Sequence, residues 1–286
     1  QDYIGDPSKI TDWIELKRRE AAFTSTHYLS QSLTLDWKLG YARQEQDSIY
    51  QHGFDYRHID NLFVGDAKAT WSTGSGGLWT TGLFLKDQRL RSASEVLFND
   101  LGLEKDSFDH SSYALYLQRD WFLSEAFEVK MALRADRVEI DWLELENSVQ
   151  ETVLAPRFQA LHNWSLHWSQ RLSYGLGYRA PLTYFESQHG NSEFGYELDI
   201  DDLEKAHSVV YSLSHNTPMY YVTTGVHYTH LMNMADGHET FEEPIQYVNA
   251  DRSYDIWVFD VLTGWKPKHW WLLEASYESF RYESGY

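Results

Sequence analysis

The segment Phe127–Asp136, which reads FEVKMALRAD, decides the fold class of this chain. Apolar residues occupy every second position, and most of the positions between them are charged or small. A strict period of two places the two sets on opposite faces of a β-strand. Strands of soluble sheets usually run for about five or six residues, whereas a tilted strand needs about 9–11 residues to cross a bilayer. The segment therefore indicates a membrane-spanning strand, with Val129, Met131 and Leu133 toward lipid and Glu128, Lys130 and Arg134 toward a lumen.

The same alternation recurs along the chain, and aromatic residues stand near the ends of the alternating runs. An interfacial girdle of a transmembrane barrel places aromatic residues at these positions. The further runs are Leu33–Ala42, Trp79–Leu85, Tyr113–Leu117, Leu172–Arg179, Tyr220–Thr229 and Trp271–Glu278.

The composition excludes several classes of protein. The 286 residues include 12 Trp, 20 Tyr and 14 Phe, more aromatic residues than a soluble core needs, and no Cys, so disulfides and thiolate chemistry are excluded. The net charge of -19 repels phosphate backbones, and nucleic acid is therefore not an expected partner. The longest apolar run is only Tyr113–Leu117, whereas a membrane-spanning helix needs about 20 apolar residues.

The connections between the alternating runs are of two kinds, as in outer-membrane barrels. Six are short: Leu29–Gln31, Ser72–Gly77, Phe122–Ala126, Asn163–His167, His215–Met219 and Lys266–His269. Five are long, polar and acidic: Gln44–Arg57, Gln88–Asp109, Glu144–Glu151, Tyr184–Lys205 and Met232–Arg252. Several loops of this length are uncommon in a compact soluble domain, which disfavours the alternative of a soluble β-sandwich.

We therefore predict an all-β protein that folds as an antiparallel transmembrane β-barrel. The six turns join about twelve strands, and a further strand around Ile10–Lys17 brings the expected number to about 12–14. No shift in composition marks a domain boundary, so residues 1–286 are expected to form a single domain.

Several motifs add a resemblance to a known family. Ala155–Phe158 opens one strand, and the chain returns after a short turn as Leu172–Pro181, LSYGLGYRAP, followed by the acidic segment Asp202–Ser208. This order resembles the TonB-dependent outer-membrane receptors. Further hairpins that resemble the family are Ser112–Gln118 with Leu133–Arg137, Val226–Met234, and Phe259–Tyr277.

The resemblance implies a bacterial outer-membrane location and a receptor that is not an enzyme. Members of the family have about 22 strands around a plug domain, so the chain is expected to be part of a longer barrel, without the plug and the C-terminal strands. The implied partners are outer-membrane lipid, a small chelate ligand and the TonB energy-coupling complex, which acts through the plug.

The leading functional hypothesis is active uptake of a scarce nutrient chelate. Siderophore-bound iron is the commonest cargo of the family, and haem or another metal chelate is a possible cargo. A passive porin or structural barrel is the alternative, since about twelve strands are able to close alone. An outer-membrane enzyme ranks third because the sequence has no G-x-S-x-G, P-loop or H-E-x-x-H motif.

The candidate substrate-binding residues are Arg179, Tyr184, Glu186, His189 and His238. Arg179 begins a long loop, where it could anchor an anionic ligand, although a structural pair with an acidic wall residue is the favoured interpretation. Tyr184 and Glu186 follow in the same loop. His238 belongs to a group of His, Met and Tyr residues of the kind that binds copper or a metal chelate, although decoration of a loop is the favoured interpretation.

Two hypotheses concern metals. The resemblance implies that His189, between the Arg179–Pro181 box and Asp202-Leu203, corresponds in position to the haem-binding His of haem receptors; imidazole is a common axial ligand of haem iron. The family's Asn-Pro pair is replaced here by Asp201-Asp202, and a polar loop remains the favoured interpretation. Asp199, Asp201 and Asp202 offer carboxylates to calcium, although their spacing departs from an EF-hand loop and a solvated acidic loop is the default interpretation.

If the cargo is haem, replacing His189 with alanine should weaken haem binding sharply, because the axial ligand of the iron is lost. A substitution of the lumen-facing Arg134 should leave haem affinity unchanged. Spectroscopic titration of both variants measures the difference, and an unchanged affinity after the loss of His189 would remove the haem hypothesis.

Overall fold

The structure is a computed structural model, and it describes residues 13–50, 54–74, 76–94, 107–143, 145, 147–182, 196–238 and 245–284. All regular elements in these ranges are β-strands. Twelve of them are long: β1 Trp13–Tyr28, β2 Leu33–Tyr50, β3 Phe54–Thr73, β4 Gly77–Ser94, β5 Phe108–Ser124, β6 Phe127–Trp142, β7 Asn147–Asn163, β8 Trp168–Arg179, β10 Glu204–Asn216, β11 Tyr220–Met232, β14 Tyr254–Lys268 and β15 Trp271–Ser284. Three are short: β9 Tyr196–Asp199, β12 Ala235–His238 and β13 Ile245–Asn249.

The long strands form one antiparallel sheet of 12 strands, in the order β1-β2-β3-β4-β5-β6-β7-β8-β10-β11-β14-β15. The short strands form a second sheet in the order β12-β13-β9, in which β9 runs parallel to β13. The predicted antiparallel all-β fold is confirmed, and each of the six predicted short turns joins two paired strands. Within the described ranges no pairing joins β1 to β15, so the twelve strands form an open sheet and do not close into a barrel by themselves.

The strands extend further than the sequence pattern predicts. Gln44–Arg57 is predicted as a loop, but Gln44–Tyr50 continues β2 and pairs in register with β3. The predicted separate strand at Ile10–Lys17 is also wrong in its bounds, because β1 runs continuously from Trp13 to Tyr28. Above the membrane both faces of a strand contact polar surroundings, so the backbone ladder continues although the apolar alternation has ended.

The predicted faces of β6 are confirmed. Met131 and Leu133 lie on the convex face, 48% and 51% exposed, as expected for side chains that contact lipid. On the concave face the Nζ atom of Lys130 lies 2.8 Å from Glu128 and 3.3 Å from Asp120 of β5, and Arg134 pairs with Asp136. The lumen side of the sheet therefore carries paired charges and the lipid side carries none at this level.

An apolar belt on the convex face marks the membrane. Its outward residues occupy alternate positions within nine-residue spans, which matches the length that a tilted strand needs in a bilayer. Examples are Leu33–Tyr41, Tyr113–Trp121, Phe127–Ala135 and Trp257–Trp265. Above the belt the outward positions become charged, as at Arg43, Arg137 and Asp255.

Among the described residues, no helix has the length and apolar character needed to span a bilayer.

Replacing Met131 with arginine should lower the free energy of unfolding in lipid by about 2–4 kcal/mol, because Met131 lies in the middle of the apolar belt. Asp141→Arg is the matched control: it lies on the same strand and face but above the belt, and should cost about 0–1 kcal/mol. Denaturant titration of the two variants of the complete protein in lipid vesicles measures both values. Equal costs would contradict the assignment of the lipid face.

Candidate functional site

The sheet divides between β7 and β8 at the level of Pro156. The two strands pair from Asn163–Ser169 up to Arg157–Gly175, and the register ends there. Proline has no N–H group to donate and is confined within sheets to edges and bulges, which explains why pairing stops at this residue. Above Pro156, β7 is paired with β6 alone, and β8 leaves its neighbour.

The released ends of β8 and β10 fold over the concave face of β6 and β7. Tyr178 of β8 donates a hydrogen bond to Asp136 Oδ1 of β6 at 2.8 Å, although the alternation of β8 places Tyr178 on the lipid side with Leu172 and Tyr174. Lys205 of β10 pairs with Glu151 of β7, and the backbone N–H of Leu203 donates to Glu151 Oε2 at 3.3 Å. The outward set of β8 therefore becomes an inner contact surface above Gly175, a correction that the alternation alone does not predict.

The extracellular end thus has two layers with an apolar core between them. We call the upper parts of β3–β7 the wall, and the segments 176–182, 196–206, 233–238 and 245–249 the inner layer. Core residues of the wall include Tyr56, Phe108, Val138 and Ile140, and those of the inner layer include Ile200 and Leu203; each is at most 1% exposed. This core lies beyond the apolar belt, so it depends on the hydrophobic effect in water.

Polar contacts fix the inner layer to the wall. Asn147 Nδ2 donates to the Leu198 carbonyl at 2.9 Å, and Trp142 Nε1 donates to the Leu182 carbonyl at 3.4 Å. Together with Glu151, these residues lie on the extracellular ends of β6 and β7. The contacts hold the loop segments after β8 over the concave face.

Asn249 organises the inner layer itself. Its Oδ1 atom accepts hydrogen bonds from the backbone N–H groups of Asp201 and Asp202, at 2.8 and 2.9 Å. Its Nδ2 atom donates to the carbonyls of Asp202 and Asn233, at 3.1 and 2.9 Å. One side chain therefore joins the segment that follows β9 to the segment that precedes β12.

Arg179 is paired with a carboxylate of the wall-side sheet. Its Nε atom donates to Glu204 Oε2, and Glu204 is buried. Glu204 Oε1 also accepts a hydrogen bond from the Ala235 N–H at 3.0 Å, so the pair links β8, β10 and β12. The favoured structural interpretation of Arg179 is supported by this geometry, and most of the Arg179 side chain is still exposed and accessible to a ligand.

Below the core, a buried carboxylate collects three donors. Asp136 is 0% exposed, and it accepts bonds from Arg134 Nε and Nη2 at 2.8–2.9 Å and from Tyr178. The guanidinium of Arg134 also lies 4.7 Å from the ring of Phe84, a cation–π distance. A buried charge requires such partners, and this cluster ties β6 to the inner layer.

A second polar group lies on the concave face of β3–β5. Lys86 Nζ lies 3.3 Å from His110 Nδ1, and Gln88 donates to Asp60 Oδ2 at 3.0 Å. His110 lies above the apolar belt of β5, and burial, assisted by the neighbouring Lys86, lowers its pKa to about 4. The imidazole is therefore neutral at physiological pH, and because Lys86 donates to Nδ1, its proton lies on Nε2.

The remaining predicted site residues have different outcomes. Tyr184, Glu186 and His189 lie outside the described residues. His238 ends β12, where it is paired with Gln246 of β13. Asp199 ends β9, and Asp201 and Asp202 belong to the link that Asn249 holds.

The metal hypotheses gain no geometry. In the part of the chain that the structure describes, no three His, Asp or Glu side chains lie close enough together to hold a metal ion. Calcium at Asp199, Asp201 and Asp202 and haem at His189 stay predictions.

Residues that the sequence analysis did not single out hold the site together: Asn147, Glu151, Asn249 and His110. Each is a single polar residue within a polar stretch, with partners 40–50 positions or so away in the chain, and no local pattern identifies it. Only Glu204 was adjacent to a motif, the acidic segment after the Arg-Ala-Pro box.

The sequence matches the family described as TonB dependent receptor-like, beta-barrel, over residues 2–237. The match covers most of the chain, and the chain therefore belongs to the β-barrel part of the TonB-dependent receptors, which are outer-membrane proteins of Gram-negative bacteria. No curated protein matches the sequence.

Solved structures agree with this assignment of the fold. The FrpB iron transporter from Neisseria meningitidis (F3-3 variant) is similar with a TM-score of 0.74 and 13% identity, over 95% of this chain and 44% of that one. The copper transporter OprC gives 0.74 and 12%, over 94% and 47%. The ferric yersiniabactin uptake receptor FyuA from Yersinia pestis gives 0.69 and 13%, over 96% and 44%. The chain spans less than half the length of these structures.

Replacing Asn249 with alanine should release the inner layer, because four backbone groups lose their partner at once. Opening of segments 196–206 and 233–238 should become easier by about 1–3 kcal/mol, measured as faster amide hydrogen exchange in the complete protein. Asn249→Asp, which keeps the acceptor but removes the donor, should have an intermediate effect. Gln246→Ala, on the same strand with an exposed partner in Glu197, is the control and should leave the exchange of both segments unchanged.

Proposed function

We propose that the chain is part of an active-transport receptor that captures a nutrient chelate at the cell surface and passes it through the outer membrane. The observation that supports this best is membership of the TonB-dependent receptor family over residues 2–237. The receptor performs no covalent chemistry in this proposal. Its extracellular surfaces bind the cargo, and its lumen conducts the cargo inward.

The architecture fits a capture function. The sheet extends beyond the apolar belt by several residues on each of β2–β7, and the inner layer folds over its concave face. Loops held on such a rigid scaffold are common places for binding residues. The exposed guanidinium of Arg179, held at its Nε by Glu204, presents its other N–H groups to an anionic ligand. Tyr184, Glu186, His189 and His238 are retained as proposed contacts from the same loops.

The proposed cargo is a metal chelate, with siderophore-bound iron first. Similar structures are described as an iron transporter, a copper transporter, a ferric yersiniabactin uptake receptor and the alcaligin receptor FauA from Bordetella pertussis. These proteins are 11–13% identical to this chain, so their cargoes support the class of ligand and not its identity. Haem is the second cargo, through His189.

The proposed partners follow from the family. The TonB energy-coupling complex would act through a plug domain of the complete receptor, and outer-membrane lipid would surround the apolar belt. In this proposal residues 1–286 form one continuous part of the barrel domain. The passive porin is disfavoured because β1 and β15 are unpaired with each other in the described sheet.

A ligand panel tests the proposal on the complete, purified receptor. Ferric hydroxamates, ferric catecholates, a copper chelate and haem are titrated by intrinsic tryptophan fluorescence, and one ferric chelate should bind far more tightly than the others. Arg179→Gln should weaken that binding by about tenfold, the typical loss for one charge-assisted contact. Arg252→Gln, at another exposed loop arginine with an acidic partner, is the control and should bind as the parent does.

Uptake and conductance separate this function from the porin. Import of the bound chelate into cells should stop when the energy-coupling complex is absent. A receptor that binds no chelate, and that conducts ions steadily in a planar bilayer without ligand, would overturn the proposal.

A further inference from the structure

Negative charge is absent from the periplasmic ends of four neighbouring strands, although the chain carries 43 acidic residues. β8 and β11 contain no Asp or Glu at all. The acidic residues of β7 and β10 are Glu151 and Glu204, and both lie toward the extracellular ends of their strands. The turns 164–167 and 217–219 add none.

Histidines replace the acids at these ends, in contact with aromatic rings on the convex face. The ring of His215 lies 4.4 Å from Trp168 and 5.1 Å from Tyr220, between centroids. His167 lies 6.1 Å from His215, and Trp164 stacks on Trp168 at 6.4 Å. We call Trp164, His167, Trp168, His215 and Tyr220 the rim cluster.

The cluster is built to accept a proton. His167 Nδ1 lies 2.9 Å from the Asn216 carbonyl, and since a carbonyl only accepts, this nitrogen carries its hydrogen. The Nε2 atom then remains for a proton or an external partner. Trp168 and Tyr220 on either side of His215 would stabilise an imidazolium through their ring faces.

The surrounding ionisable groups do not neutralise such a charge. On β7, His162 continues the row of rings, 6.3 Å from Trp164. On β8, Arg171 lies on the concave face by the alternation of the strand; Tyr220 lies on β11, and Lys266 follows Trp265 on β14. None of these groups is a carboxylate, so an anion that balances two neighbouring imidazolium groups must come from outside the described chain.

We propose that the rim cluster binds the headgroup of an anionic phospholipid in the periplasmic leaflet, more tightly when its histidines are protonated. The cluster faces lipid at the level where headgroup phosphates lie, because it stands at the short-turn end of the apolar belt. A phosphodiester accepts hydrogen bonds from both His167 and His215 and relieves their repulsion. Histidine is the side chain whose charge changes in mildly acidic surroundings, and the periplasm is exposed to the acidity outside the cell.

The test uses the complete receptor in detergent and counts retained lipid by mass spectrometry, with phosphatidylglycerol as the anionic probe and phosphatidylcholine as the neutral one. Retention of phosphatidylglycerol should rise about two- to fivefold between about pH 8 and about pH 5.5, the range that a cation–π contact and a histidine charge account for. Retention of phosphatidylcholine should not change. This comparison needs no variant and no cargo, so it is independent of the proposed uptake function.

A double variant then places the effect. His167→Gln with His215→Gln should abolish the rise with acidity. His207→Gln is the matched control, because His207 lies on the same strand and face as His215 but at the other end, bonded to Tyr174, and the rise should persist. Retention that is independent of pH, an equal rise for phosphatidylcholine, or an equal loss in the His207 variant would each overturn the proposal.

Discussion

Pairing of every backbone N–H and C=O group within the protein is the constraint on which this structure depends, because the bilayer core offers no water to satisfy them. The long antiparallel ladder meets that constraint, and it leaves side chains free to divide by face. Apolar side chains such as Met131 and Leu133 lie toward lipid, and charged ones such as Lys130 and Arg134 lie toward the lumen, where they pair with carboxylates. Outside the bilayer the constraint relaxes, and there β7 and β8 separate.

The sequence predicted the features that this constraint imposes. Alternation in Phe127–Asp136 identified both faces of β6, and the six short turns lay where the apolar runs stop. It did not predict that Gln44–Tyr50 continues β2, because the ladder persists where the apolar signal ends. The inward position of Tyr178 was missed for a different reason: a period of two gives the face of a strand, but not what the strand lies against.

The candidate site was less predictable than the fold. Arg179 was identified through a motif, and its carboxylate partner lies 25 positions later in Glu204. Asn249 and Glu151 hold the inner layer through partners about 50 residues distant, and a polar residue in a polar stretch carries no sign of such a role. Contacts of this kind depend on how the extracellular segments pack in water, a process governed by the apolar core of Val138, Ile140, Ile200 and Leu203.

The break in pairing at Pro156 has a consequence for the order of folding. Each hairpin of the sheet closes a short loop, whereas the hydrogen bonds from Tyr178 to Asp136 and from Leu203 to Glu151 close separations of 42 and 52 residues. Contacts of high sequence separation cost more chain entropy and form late. The wall is therefore expected to assemble first, and the inner layer to dock onto a finished template. A surface loop that folds last on a completed scaffold is free to vary in evolution without endangering insertion into the membrane.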